Sequence, residues 1–238
     1  MGARPDVQES RTDSASGLPS EAETERFRKA LLRWYKSNGR RFPWRARTAS
    51  SYAKIVSEVL LQRTQAPRVA DFFGEFIESF PSWRRLSEAT ETELGKFLKP
   101  LGLWRRRGAS LISLAREMSR RRGRFPKTRK DLESLPGVGQ YIANAILLLC
   151  HNEPQPLLDV NMARVLERNF GTRKLADIRY DPYIQALAKQ VVAEGDARSL
   201  NWAILDLAAS MCIVGKPHCW ECPLSRSCLT GRRSLQAS

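Results

Sequence analysis

The stretch Leu135-Pro136-Gly137-Val138-Gly139-Gln140-Tyr141 reads as a hairpin between two helices. Pro136 ends the first, and the two glycines allow backbone angles that other residues resist. Successive free N–H groups there, beside a helix N-terminus, can hold a phosphate. The apolar run Ile142 to Cys150 follows as a helix, and after it comes Leu158-Asp159-Val160-Asn161. Its single carboxylate, Asp159, stands just before the helical pattern Met162-Ala163-Arg164-Val165-Leu166. A phosphate clamp followed by one acid suits the core of an enzyme acting on nucleic acid. The same residues also suit a tight turn and an N-capping Asp.

Outward from the hairpin the charge is basic. Arg105-Arg106-Arg107, Arg120-Arg121-Arg122-Gly123-Arg124, Lys127, Arg129 and Lys130 all precede it closely, and the whole chain carries a net charge of +15. Such an excess implies a polyanionic partner, most simply nucleic acid, with an anionic membrane surface as the alternative. No apolar run reaches the roughly eighteen residues that span a bilayer, and no apolar leader is visible at the N-terminus. A cytoplasmic (in a prokaryote, nucleoid-associated) monomer is expected. Histidine occurs only at His151 and His218, so histidine-based acid–base chemistry is not expected.

Residues 1–20 are poor in large apolar groups and read as a disordered tail. From Glu21 the pattern is helical, with Phe27, Leu31, Trp34 and Tyr35 on one face and Gly39 as a stop. The basic-aromatic loop Arg40-Arg41-Phe42-Pro43-Trp44-Arg45 follows. A helix is predicted from Tyr52 to Gln65, with Tyr52, Ile55, Val56, Val59 and Leu60 buried. Glu58 sits beside that stripe among apolar neighbours, where burial would raise its pKa. Val69 to Phe80 is an amphipathic core helix, and Thr90 to Glu93 is a capping box. Further helices are predicted near 182–194 and 200–211. Helices joined by short loops, with no strand series, mean an all-α fold.

Cys212, Cys219, Cys222 and Cys228 have the spacing C-x6-C-x2-C-x5-C. Four thiolates this close can hold one metal centre, and zinc and a four-iron cluster both fit. Cys150 lies on an apolar helix and reads as a buried small hydrophobe.

Taken together, LPGVGxxxA, LDxNxxRV and the cysteine spacing resemble the helix-hairpin-helix DNA glycosylases of the endonuclease III superfamily, from about Phe27 to Cys228. The resemblance implies two helical lobes with the active cleft between them. Residues 45–150 would form one lobe; 21–44 and 151–228 would form the other, with 229–238 as a C-terminal tail. It implies a [4Fe-4S] cluster on the four cysteines, structural in role, and double-stranded DNA with a mismatched or damaged base as partner. Such enzymes flip a base out of the duplex and break its C1′–N bond. Asp159 matches the catalytic aspartate, which stabilises positive charge on the sugar.

Strand-cleaving members carry a lysine where this chain has Tyr141, and no lysine occurs from Asp131 to Arg173. That implies a monofunctional enzyme that leaves an abasic site. Two branches are similar. Adenine glycosylases acting on A opposite 8-oxoguanine share the Ser-Glu-Val-x-Leu-Gln-x-Thr-Gln run with its catalytic Glu, here Glu58, and also resemble Phe42-Pro43-Trp44. They carry a further C-terminal domain, which is not expected here because the chain ends at Ser238, soon after Cys228. Mismatch-specific thymine/uracil glycosylases resemble Gly139-Gln140-Tyr141, Arg63-Thr64 and Asp159-Val160-Asn161, and this branch is favoured. The resemblance then implies roles for further residues. Tyr141 lines the base pocket, Gln62 and Arg63 fill or read the gap left by the flipped base, and the Leu101 to Trp104 turn wedges opposite. Gly137 and Gly139 bind a phosphate, and Asn161 contacts DNA.

Overall fold

The computed structural model describes residues 17–102 and 104–236. Most of the tail expected over residues 1–20, and Leu103 of the wedge turn, lie outside them. Among the described residues there is no strand, and the helices run in chain order as α1 (Glu21–Asn38), α2 (Ser51–Leu61), α3 (Ala66–Ser79), α4 (Trp83–Ser87), α5 (Glu91–Leu98), α6 (Trp104–Arg120), α7 (Arg129–Glu133), α8 (Gln140–Cys150), α9 (Val160–Phe170), α10 (Pro182–Val192), α11 (Ala197–Ser210) and α12 (Leu229–Gln236). None is long and apolar enough to cross a membrane.

Local chemistry sets the ends. Ser20 and Glu23 form a capping box at α1, and Thr90 and Glu93 form another at α5. Ser50, Ser82, Thr128, Asp159, Asp181 and Asp196 each cap a helix through the side chain. The single helix read from Tyr52 to Gln65 is cut short. It ends at Leu61, and a turn over Gln62 to Gln65 leads into α3. Pro67 explains the break, because it has no amide to donate and is tolerated only in the first turn of a new helix. Residues 229–236, read as part of a tail, form α12. That helix packs on α9, and its Gly231 lies so close to the Ser225 backbone that a β-carbon would come within 2.5 Å of the Ser225 carbonyl oxygen.

One set of helices packs on itself: α2 on α3, α6 and α8; α6 on α4 and α5; α7 on α8. A second set does likewise, with α1 on α10 and α11, and α9 on α10, α11 and α12. Phe72, Phe76, Phe80 and Phe97 form an aromatic cluster between α3 and α5, with ring centroids 5.1 to 6.4 Å apart. Fully burying a ring such as Phe76 or Phe80 stabilises by about 1.5–3 kcal/mol. Helix α8 is buried on nearly every side, from Ile142 to Leu149. It packs against both α2 and α11 and so touches both sets. This central position fixes where the hairpin ahead of it points.

Candidate active site

Three elements bring Glu58, Tyr141 and Asp159 together. Glu58 lies on α2, Tyr141 in the first turn of α8 and Asp159 at the N-cap of α9. The Tyr141 hydroxyl donates to Glu58 Oε2 at 3.0 Å. Glu58 is only 4 % exposed. Burial pushes its carboxyl up to about 7, aided by the negative Asp159; the Tyr141 hydrogen bond and the nearby Arg45 pull in the other direction. Glu58 is thus buried among apolar neighbours, with its carboxyl raised as the sequence leads one to expect. Burial, with Glu58 and Asp159 close by, also holds the Tyr141 hydroxyl well above its ordinary value, so it acts as a donor.

Asp159 is a helix cap in the literal sense. Its Oδ1 accepts the amides of Asn161 at 2.9 Å and Met162 at 2.8 Å, and its Oδ2 accepts Asn161 Nδ2 at 2.7 Å. The carboxylate that caps α9 is thus the same one that bears electrostatically on Glu58 and Tyr141. Asn161 is spent on orienting this carboxylate. Its Oδ1 accepts Arg164 Nη1 at 3.1 Å, and Arg164 Nε donates to the Cys212 carbonyl at 2.8 Å. A chain of hydrogen bonds therefore runs from Asp159 to the first cysteine.

The hairpin uses its two glycines differently. Gly137 has φ +74, and a β-carbon there would sit 2.2 Å from Ser110 Oγ. Gly139 is extended, with φ −98, and nothing lies within 4 Å of where its β-carbon would be. Only Gly137 needs glycine's backbone freedom. What Gly139 contributes is a bare, open N-cap at α8, as close approach by an anion requires.

Gln62 and Arg63 are exposed in the α2–α3 turn, and Arg63 adopts φ +56. Leu101 is half-buried in the turn before α6, followed by Gly102 at φ +70.

Sequence reasoning missed Asp206. This α11 carboxylate is 1 % exposed and accepts Arg40 Nε at 2.7 Å, the Arg40 amide at 2.8 Å and Arg45 Nη1 at 2.9 Å. The Arg45 guanidinium also lies over the rings of Phe42 and Trp202, at 5.1 and 5.3 Å. An acid between Leu205 and Leu207 in an apolar helix was the available signal.

Cys212, Cys219, Cys222 and Cys228 line one cavity together with Arg168 and Gly231. Arg168 Nη1 donates to Cys212 Sγ at 3.4 Å, and the Gly231 amide donates to Cys228 Sγ at 3.4 Å. Among the described residues, no three His, Cys, Asp or Glu side chains gather as closely as a single metal ion requires.

Residues 56–193 match the family described as HhH-GPD superfamily base excision DNA repair protein. Thymine-DNA glycosylase of Aeropyrum pernix is 38% identical over 86% of this chain and 94% of its own. Thymine/uracil-DNA glycosylase of Pyrobaculum aerophilum is 35% identical over 88% and 93%. Human adenine DNA glycosylase is 32% identical over 90% of this chain but only 41% of its own. Among solved structures, a thermostable thymine-DNA glycosylase superposes with TM-score 0.80 at 29% identity, covering 89% of this chain and 98% of that one. An endonuclease III–DNA complex superposes with TM-score 0.71 at 17% identity over 92% of this chain and 100% of that one, a likeness of fold. The chain belongs to the HhH-GPD superfamily of base-excision DNA repair proteins and is a DNA glycosylase of that family.

Proposed function

We propose that this glycosylase removes thymine or uracil mispaired with guanine from duplex DNA, by hydrolysis and without cutting the strand. The observation that carries the reading is the grouping of three side chains. The Tyr141 hydroxyl donates to Glu58, Asp159 is close enough to raise the pKa of both, and Tyr141 fills the hairpin position where strand-cleaving relatives carry a lysine. A tyrosine carries no amine with which to form a Schiff base, so water is left as the nucleophile. Asp159 stabilises the cationic sugar as the C1′–N bond breaks, and orients or deprotonates that water. Glu58, which exchanges its proton near neutrality, hydrogen-bonds the departing base or the water beside it. Gly137 and Gly139 hold a backbone phosphate. The thymine and uracil specificities in the names of the Aeropyrum and Pyrobaculum relatives support the choice of base.

A [4Fe-4S] cluster fits the four cysteines. They line one cavity, and N–H groups of Arg168 and Gly231 point at two of the sulfurs. Bound there, the cluster supplies structure by pinning the loop that carries Lys216 and Arg226. Analysis for iron and acid-labile sulfide tests it, and zinc alone overturns it.

The adenine branch is the second reading, favoured by Glu58 within its Ser-Glu-Val run and by the match to human adenine DNA glycosylase. The deciding experiment is base release from labelled duplexes containing G·T, G·U, G·A and 8-oxoguanine·A, with matched controls, each read with and without alkali. Product from G·T and G·U only after alkali is expected. Product from A opposite 8-oxoguanine moves the enzyme to the adenine branch, and strand cleavage without alkali overturns the monofunctional reading.

A further inference from the structure

The turn between α2 and α3 is held in a conformation its sequence does not favour. Arg63, at its tip, has φ +56. A non-glycine residue adopts the left-handed region only where its surroundings impose it. Here Arg107 does so from one turn inside α6. Its Nη1 donates to Thr64 Oγ1 at 2.8 Å, and its Nη2 donates to the Gln62 carbonyl oxygen. The two acceptors flank Arg63 on either side, so one guanidinium fork closes the turn around it. Burial and the neighbouring Arg63 both pull the Arg107 pKa downward, so the cation is partly withdrawn from solvent. Helix α6 begins at Trp104, two positions after Gly102 of the Leu101 turn. Arg107 therefore joins the α2–α3 turn to the helix that follows the Leu101 turn, and the family resemblance gives both turns a place in the duplex from opposite sides.

We infer that Arg107 is a positioning residue for base flipping: it locks Gln62 and Arg63 in the strained turn and couples that turn to the one at Leu101. It acts through the protein and not as a phosphate ligand. The inference rests on the reading of Gln62 as a residue that enters the gap left by the flipped base.

Two roles for a buried-edge arginine separate cleanly by salt and by mismatch preference. A phosphate ligand contributes affinity to every duplex and about 0.9 to the slope of log K against log salt. A positioning residue contributes to the mismatched duplex alone and leaves the slope unchanged. The probe is a G·T duplex with 2-aminopurine beside the mismatch, read for flipping by fluorescence, for affinity against the matched G·C duplex at several salt concentrations, and for base release in single turnover. Three variants of the full chain are compared. Arg107→Met keeps the packing stem but removes the fork, Thr64→Val removes one acceptor without altering charge, and Gln62→Ala tests the underlying reading.

Arg107→Met should lose flipping signal and base release by roughly tenfold to a hundredfold, the loss expected for hydrogen bonds to a charged group, with the salt slope unchanged. Thr64→Val should do the same to a smaller extent, and carries the test should Arg107→Met fold poorly by circular dichroism. A drop of about 0.9 in the slope with mismatch preference intact would make Arg107 a phosphate ligand and overturn the inference. So would normal flipping in both Arg107→Met and Thr64→Val while Gln62→Ala is impaired. Normal flipping in Gln62→Ala would instead overturn the reading of the turn.

Discussion

Glu58 and Asp159 carry the same carboxyl group in opposite surroundings. Glu58 stands inside an apolar helix, accepts from the Tyr141 hydroxyl, and is pushed by burial up to about 7. Asp159 stands at a helix N-terminus, where three N–H groups of Asn161 and Met162 point at its oxygens. Such an end stabilises negative charge, because the first amides of a helix lack partners and its dipole is positive there. The contrast divides labour: the buried acid can exchange a proton near neutral pH, and the capped one can face a cationic sugar. Substitutions that strip one carboxyl at a time test that division.

The largest effect is expected at Asp159. Asp159→Asn should reduce base release by roughly 10²- to 10⁴-fold, the span typical of a lost general base or electrostatic stabiliser. Asparagine caps helices about as well as aspartate, so the melting temperature and the affinity for mismatched duplex should stay close to the parent's. Single-turnover release alongside a binding titration checks both parts. Retained base release would reduce Asp159 to a helix cap.

Glu58→Gln should cost less, about a hundredfold, and should remove the inflection near pH 7 from the rate profile. It should also alter the stability curve. Glu58 binds its proton up to about pH 7 in the fold, against an ordinary value of 4.5. The stability contributed by that bound proton is fully present below pH 4.5 and is lost as pH rises through 7, about 3 kcal/mol at most. The variant has no such proton to lose. Its stability relative to the parent should therefore improve from pH 4.5 to 7 in parallel urea titrations, and a difference flat with pH would count against the buried, proton-holding Glu58.

Both acids could be read in the sequence because their signals are local. Asp159 precedes a helical period at capping distance, and Glu58 is ringed by Val56, Val59 and Leu60. The hairpin was legible for the same reason, although its two glycines proved to serve different ends. Helix α12 was not legible. Leu229 to Gln236 offers few apolar residues, and its folding depends on packing against α9. The split between α2 and α3 was signalled by Pro67 and obscured by a helical pattern running through it. Asp206 was invisible as a site residue because its partner Arg45 lies 161 positions away, and no local period encodes that pairing.

Arg45 gives the finest test of how the pocket sets the Glu58 proton. The Tyr141 hydroxyl and the Arg45 cation both favour the charged form of Glu58, and the hydroxyl is the stronger of the two. Tyr141→Phe and Arg45→Gln should each move the inflection of the pH–rate profile upward, the first by more. Arg45→Gln leaves Asp206 with Arg40 as its ion-pair partner, so a lower melting temperature should accompany its shift. The melting temperature of Tyr141→Phe, which keeps the ring in place, should change less. The sign of the shift does not depend on which form of Glu58 is active, because each substitution removes a stabiliser of the carboxylate. A downward shift in either variant, or a larger one in Arg45→Gln, would mean that the group titrating near neutrality is not the Glu58 carboxyl held by Tyr141.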